Sequence, residues 1–502
     1  MGKRMRVSLS ISLFAVLLSP RQAQSFISHR SLTDQKQLSS GQVRSNQPTY
    51  DEKEKNIKAE FLLISFWSFV HQASIPFGDI VDGMFLSEID ASSLGAIGVA
   101  KSTQKSCTKL LNSPLSKVSV SMIASAMGTE DRKDLSNAAA STLNFALFIG
   151  FAQLFLFLAG SHQLLGLAGI DERSSMFLPA LGFLRLDVLA MPATTLWLVG
   201  TNILRGLGDA STPLFCALLL NVVNLFSNFV FIGWFKMGLR GSAMSSAVSR
   251  TLALLPMFLI LKKKIPKLNP FAQPLSAIVQ GLSDYFKAGS LLMGRSIARI
   301  TAFSYCSRQS AKLGPSAASS YSILYQLGFW ATMLCEGLSI ATQSLLSRHS
   351  SHDSLDNSRL QHYIRKQSFT AGAIVSGGFS AFFYIFHRRI LNSFTKSPEI
   401  YAAAIGVVPA FLVAQLTKGF AFPMNGIILG RKEWGVSFCT LWVANFLCLS
   451  TRFLNLSSPQ GIWYAWTAYY LGQGLAGFAW YRHRAEAVVD SSEVSKHRNT
   501  SK

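Results

Sequence analysis

Long apolar runs recur from residue 61 almost to the C-terminus, and the short segments between them hold most of the Lys and Arg. A helix needs about 20 apolar residues to cross the hydrocarbon core of a bilayer. In lipid, every backbone N–H and C=O must be satisfied within the protein, so runs of this length become helices. On that spacing, spans are expected at 61–86, 92–127, 140–168, 176–204, 212–235 and 239–261. Six more follow at 286–310, 316–347, 367–389, 400–429, 434–454 and 460–481. The expected fold is therefore an all-α polytopic membrane protein with twelve transmembrane helices.

Composition agrees. Of the 502 residues, 49% are hydrophobic and only 14% charged, whereas a soluble chain carries about a quarter charged residues. The net charge of +22 does not point to nucleic acid, because the cations lie between spans and in the tails rather than in one stripe. The arm before span 1, alternate loops and the C-terminal tail hold about 21 Lys and Arg against about 9 on the other side, which places both termini in the positive compartment, cytosol or stroma. The six Cys are scattered without a CxxC pair, so they are read as small packing residues, with no disulfide framework and no metal site.

The first 25 residues have the form of a signal peptide. Lys3, Arg4 and Arg6 precede a short apolar core from Val7 to Ser19, and Ala23 and Ser25 supply a cleavage site. Residues 26–58 form a transit-like arm, in which Asp34 is the only acidic residue before Asp51. Phe26 directly after the cleavage site resembles the bipartite presequence of algae with secondary plastids, and a plain secretory signal is the alternative. Beyond it the chain divides into an N-lobe at 59–261 with spans 1–6, a linker at 262–285, a C-lobe at 286–482 with spans 7–12, and a tail at 483–502.

The lobes are related by an internal repeat. At an offset of 224 residues, Asn202–Gly206 falls on Gly426–Gly430, Asp209 on Glu433, and Asp90–Leu94 on Gly314–Ala318. Two distant blocks sharing one register, both at span ends, make a pseudo-two-fold duplication of the kind common in carriers.

Several blocks resemble the multidrug and toxic compound extrusion (MATE) family. Ile80–Phe85 followed by Ser93–Gly98 is similar to its first span and turn, and Leu204–Pro213 to its RGxGDxxTP loop. Asn224–Ile232 with Gly241–Ala243 resembles its next segment, and Gly337–Gln343 its eighth span. Asn112–Leu115 through Ser121 is similar to the plant branch that includes plastid and organic-acid exporters. The resemblance covers residues 60–480 in family order. It implies two six-helix lobes, a central cavity, and antiport of a small organic solute, an organic anion or xenobiotic, against H⁺ or Na⁺ with no other cofactor.

Charges within spans mark sites, because each must face a wet cavity or a partner. Asp79 and Asp82 sit three residues apart in span 1, one turn after Pro76, where coupled carboxylates can take up a cation in step with a change in helix shape. The resemblance selects Asp82 as the coupling aspartate, with Asn224, Asn228 and Ser246 as its partners. The family's usual residues are Asp at position 228 and Thr at position 246. Asn228 removes a negative charge, which weakens Na⁺ binding and favours H⁺. In the second lobe Glu336 is a candidate proton or substrate site, with Gln343 in the same motif. Lys101, Lys105 and Lys109, at i, i+4, i+8, share one face of span 2. Facing a cavity they would attract anions. Alternatively that stretch lies outside the bilayer, or a carboxylate offsets it. Arg185, Asp187, Arg295, Arg299 and Lys418 are read as snorkelling or structurally paired.

A lipid-intermediate flippase of the same architecture remains a rival. A membrane enzyme would need a His/Asp or His/Glu constellation at fixed spacing. The nine His show none, and His71 and His162 stand alone. The expected partners are a small-molecule substrate and the lipid bilayer, with no nucleic acid, and the chain is expected to act as a monomer.

Overall fold

The computed structural model describes residues 50–86, 91–129, 132–167, 172–173, 177–269, 275–349, 355–395, 397–454 and 458–500. The expected signal peptide and most of the transit-like arm lie outside them. The chain forms two compact units. Of Met1–Lys53 only the helical residues Tyr50–Lys53 are described; Glu54–Lys502 holds everything below.

Twelve long helices follow in the expected order, with no strand among the described residues. In the first half they are α1 Tyr50–Leu86, α2 Ala91–Gly128, α3 Arg132–Ala159, α4 Phe177–Gly206, α5 Ser211–Trp234 and α6 Gly238–Lys264. In the second they are α7 Leu275–Lys312, α8 Pro315–His349, α9 Leu355–Phe394, α10 Pro398–Gly430, α11 Trp434–Ser450 and α12 Pro459–Thr500. Seven of them are long and apolar enough to cross a membrane by length and composition, α3 to α6 and α8 to α10.

α2 matches its expected span to within one residue at each end, its Lys-bearing stretch helical throughout, but other helices outrun theirs: α1 starts at Tyr50, α9 starts at Leu355, α7 starts at Leu275 inside the expected linker, and α12 continues to Thr500. Hydropathy marks where an apolar run ends, whereas a helix ends where its backbone loses partners, so polar turns extend beyond the apolar boundary. Conversely, α4 is not one uniform helix. A 3₁₀ turn at Val188–Ala190 separates Phe177–Asp187 from Met191–Gly206, and Pro192, which lacks an N–H, starts the second piece. The last turn of α5, Phe229–Trp234, is a π-helix.

The packing repeats between halves. α4 packs on α2, α3 and α6, and α10 packs on α8, α9 and α12 in the same pattern; α5 pairs with α6 as α11 does with α12. Ala91 and Pro315 begin α2 and α8, and Gly206 and Gly430 end α4 and α10, so the 224-residue register holds in three dimensions.

The turns after α4 and α10 show it at atomic level. Gly208 N–H donates to Arg205 O and Asp209 N–H to Leu204 O, while Lys432 N–H donates to Leu429 O and Glu433 N–H to Ile428 O. Both are Schellman caps, whose C′ residue takes a left-handed conformation. The first half supplies Gly208 at φ +83°, but the second carries Lys432 at φ +59°, a conformation that costs an L-residue with a side chain about 1–2 kcal/mol.

Candidate functional site

The lobes meet where α2 packs against α7 and α8. Lys117 on α2 is paired with Glu336 on α8, each side chain about one-sixth exposed. Two turns along α8, Gln343 donates through Nε2 to Lys117 O at 2.7 Å and Ser121 Oγ at 2.8 Å. Ser121 donates to Leu429 O at 2.9 Å, and Ser344 donates to Arg205 O at 3.1 Å. The two acceptors are repeat equivalents, and the two donors are equivalent to within one residue. Donor and acceptor thus exchange lobes, and the clamp is reciprocal.

Near the clamp Glu60 on α1 accepts from Arg348 on α8 at 2.7 Å. Gly208 lies directly beneath this pair, since a Cβ there would stand 2.7 Å from both Arg348 Nη2 and Glu60 Oε1. Arg205 is buried and donates to Asn202 Oδ1 at 3.1 Å, and it meets His71 Nδ1 at 2.6 Å. His71, which looked isolated in the sequence, therefore ties α1 to α4. In the loop, Asp209 accepts from Thr212 N at 3.0 Å and pairs with Lys264 at 2.9 Å. Burial alone would raise the Asp209 carboxyl, but Lys264 and the Thr212 bonds outweigh it and hold it below the ordinary carboxylate range.

Beyond Glu336, toward the start of α8, cations gather without matching acids. A small cavity is lined by Ser113, Lys117, Arg295 and Arg299. A larger one is lined by Lys109, Arg299 and Lys418 together with Tyr325, Trp466 and Tyr470. Arg295 donates to the neutral Asn425 Oδ1 at 2.6 Å, and Asn425 bonds in turn to Ser339. Lys418 is held by Gly328 O and Thr332 Oγ1 at 2.9 Å and by Gln415 Oε1 at 2.6 Å. None of these acceptors is charged, so no carboxylate among them offsets the lysine. Among the described residues lining the two cavities there is no carboxylate beside these five cations. Glu336, close by, is already engaged by Lys117.

Of the residues singled out in the sequence, Asn224 and Asn228 come together, with Asn228 Nδ2 donating to Asn224 Oδ1 at 3.1 Å. Ser245 on α6 donates to Asn224 O at 3.1 Å, and Ser246 is buried beside it in the chain. Asp79 and Asp82 lie in the last two turns of α1, but their side chains, like that of Lys101, are outside the described set. Lys105 and Lys109 divide: Lys105 is exposed, whereas Lys109 enters the larger cavity. Glu336 and Gln343 both stand at the lobe contact. Asp187 is buried, accepting from Gln104 at 2.8 Å and pairing with Arg250 at 3.3 Å, a structural pairing as expected.

Sequence reasoning passed over Lys117, the partner of Glu336. The available signal was a single Lys in the middle of an otherwise uncharged stretch of span 2, a position that requires a partner or a cavity. It also passed over Glu60 with Arg348, whose contact depends on residues far apart in the chain.

Comparison with known proteins places this geometry. The family model described as MatE matches residues 68–230 and 303–453. The chain is similar to Protein DETOXIFICATION 44, chloroplastic, of Arabidopsis thaliana, at 26% identity over 91% of this chain and 88% of that one. Protein DETOXIFICATION 45, chloroplastic, of the same plant is 25% identical over 86% and 81%. Among solved structures, a MATE crystal structure in the bent conformation superposes with a TM-score of 0.77 at 18% identity, covering 89% of this chain and 100% of that one.

Proposed function

The chain belongs to the MatE family, and from that premise we propose that this integral membrane protein is a secondary active carrier exporting a small organic anion. The observation that carries the reading is the charge of the central site. Lys109, Lys117, Arg295, Arg299 and Lys418 line the two cavities, and one described carboxylate, Glu336, stands beside them. A low-dielectric cleft with one sign of charge concentrates ligands of the other sign. An organic cation would meet this excess of positive charge, whereas an anion finds the cations already placed.

Export by alternating access requires the lobes to separate at one face and close at the other. The reciprocal serine bonds, the Gln343 bonds and the Glu60–Arg348 pair close one face. The cavities lie on the far side of that clamp along α2 and α8. Opening the clamp breaks a few hydrogen bonds and one partly exposed ion pair. A coupling ion or substrate can tip such a balance through a difference in affinity of a few kcal/mol between the two states.

The coupling site is assigned to Asp82, with Asp79 nearby in α1 and Asn224, Asn228 and Ser246 as the polar surroundings. Asn228 is neutral and already hydrogen-bonded to Asn224, so this set offers fewer anionic ligands than Na⁺ prefers. Proton uptake by the carboxylates of α1, exchanged for the solute, is the reading that suits these residues. The plastid envelope is the proposed membrane, supported by the signal-like and transit-like N-terminal segments and by the chloroplastic names of the two plant relatives.

The test is reconstitution of the full chain in liposomes under an imposed pH or Na⁺ gradient, screened with organic acids and cationic dyes. Gradient-driven flux of acids but not dyes is expected. Flux of dyes alone would overturn the anion assignment. A fusion of residues 1–50 to a fluorescent protein should label plastids, and reticular secretory labelling would rule that membrane out.

A further inference from the structure

The larger cavity carries more than charge. Part of its lining is built from aromatic rings: Trp466 stacks with Tyr470 at 5.7 Å and 22°, and Tyr325 lies 5.9 Å from Trp466. These rings come from α8 and α12 and are held from behind. Trp466 is 4% exposed and donates through Nε1 to Tyr321 OH at 3.3 Å. The Tyr325 and Tyr470 hydroxyls make no hydrogen bond to any described residue, which leaves two polar handles at the edge of the aromatic surface.

The same lining is also cationic. Lys109 on α2 and Arg299 on α7 both line the cavity, and neither forms an ion pair with a described residue. Lys418 lies 5.3 Å from the Tyr470 ring centre and has its three donors committed to neutral oxygens. It contributes field rather than a free hydrogen bond. Aliphatic acids would use the cations and leave the ring surface against water. A ring without an acid would use the stacking and leave the cations unpaired.

We propose that this cavity binds an aromatic carboxylate, its ring against Trp466 and Tyr470 and its carboxylate between Lys109 and Arg299. The two parts of the ligand answer the two kinds of lining residue. Offset stacking adds about 0.5–1.5 kcal/mol beyond buried area for an aromatic pair, and Arg or Lys on a carboxylate forms a charge-assisted bond. The inference rests on the reading of the chain as an organic-anion carrier and narrows its substrate class.

Phthalate, cyclohexane-1,2-dicarboxylate and malate separate the contributions, because the first two differ in the flat aromatic ring and all three are dianions near neutral pH. Binding to the purified full chain is measured by equilibrium dialysis, and efflux from liposomes under a pH gradient. Phthalate should bind saturably and at least tenfold more tightly than either other acid. Lys109→Gln, a change at an exposed position, should weaken phthalate binding severalfold. Tyr470→Leu should bring the phthalate-to-malate ratio toward one. Should that variant not fold, Tyr470→Phe, which keeps the ring and loses the handle, should lower phthalate affinity while preserving its preference over malate. Equal affinity of the intact chain for all three acids would overturn the aromatic site and leave the anion carrier standing. Transport of a cationic dye with no binding of any acid would remove both.

Discussion

Lys117 on α2 and Glu336 on α8 form an ion pair that joins the two lobes, one turn of α2 and two turns of α8 before the Gln343–Ser121 bonds that complete the same contact. It is the only carboxylate-to-cation link among the described residues of the central site, so its state decides how much positive charge the cavities present. Breaking a buried pair by removing one partner costs up to about 3–5 kcal/mol, less when water reaches it. Glu336→Gln should therefore lower stability by roughly 2–3 kcal/mol while increasing organic-anion affinity, because Lys117 is freed. The exchanged pair Lys117→Glu with Glu336→Lys should recover most of the stability. Unfolding in detergent and equilibrium anion binding measure the two effects. A Glu336→Gln protein with unchanged anion affinity would refute the link.

The two Schellman turns predict opposite responses to matched changes. Lys432→Gly relieves a left-handed side-chain conformation and should stabilise by about 0.5–1 kcal/mol after the entropy of glycine is subtracted. Gly208→Ala introduces that strain and places a methyl against Glu60 and Arg348. It should destabilise by at least about 1 kcal/mol and loosen the clamp. Denaturation midpoints test the first part, and faster alkylation of a cysteine introduced at Ser347 tests the second.

Asp209 makes stability depend on acidity with a definite sign. Its folded carboxyl titrates below the ordinary value of 3.8 because Lys264 and Thr212 outweigh burial. The stabilisation is complete above the unfolded pKa and is lost as pH falls through the lower folded one. Asp209→Asn should therefore be less stable than the parent at neutral pH, with the difference shrinking in the acid range below 3.8. Unfolding curves between about pH 2 and 7 would show the two proteins converge. Parallel curves would place the stabilisation elsewhere.

Asp82→Asn should abolish flux driven by the pH gradient, while binding of an organic anion to the larger cavity persists. Asp79→Asn, at the neighbouring carboxylate, should reduce the flux and shift its pH dependence. Liposome efflux and equilibrium dialysis on the same preparations separate transport from binding. Normal gradient-driven flux in Asp82→Asn would remove it from the coupling site.

What was legible in the chain was what repeats or runs. Apolar stretches located the helices because a bilayer enforces length, and the 224-residue register anticipated that α4 and α10 would end in equivalent turns. The Asp209–Glu433 correspondence became two identical hydrogen-bond patterns. Illegible were the relations that depend on folding across the two halves. Lys117 has no local partner, and Glu336 lies 219 residues away. The even spacing of Lys101, Lys105 and Lys109 suggested one function for all three, yet only Lys109 lines the cavity among the two whose side chains are described. The break in α4 at Val188–Ala190 lies inside a segment read as one span from 176 to 204, and hydropathy is blind to a change in backbone pitch.

Ser121 reaching Leu429 O and Ser344 reaching Arg205 O is the arrangement that two identical chains make at a shared two-fold axis, where every contact occurs twice. A half-length ancestor carrying one such serine and one such helix end could bury both in a self-complementary dimer. The two halves differ at the same turn: one carries Gly208 and the other Lys432. Backbone oxygens serve as acceptors on both sides, so substitutions of Arg205 or Leu429 leave the attachment points in place. The hinge could thus retain its symmetry while the chambers it opens became chemically different.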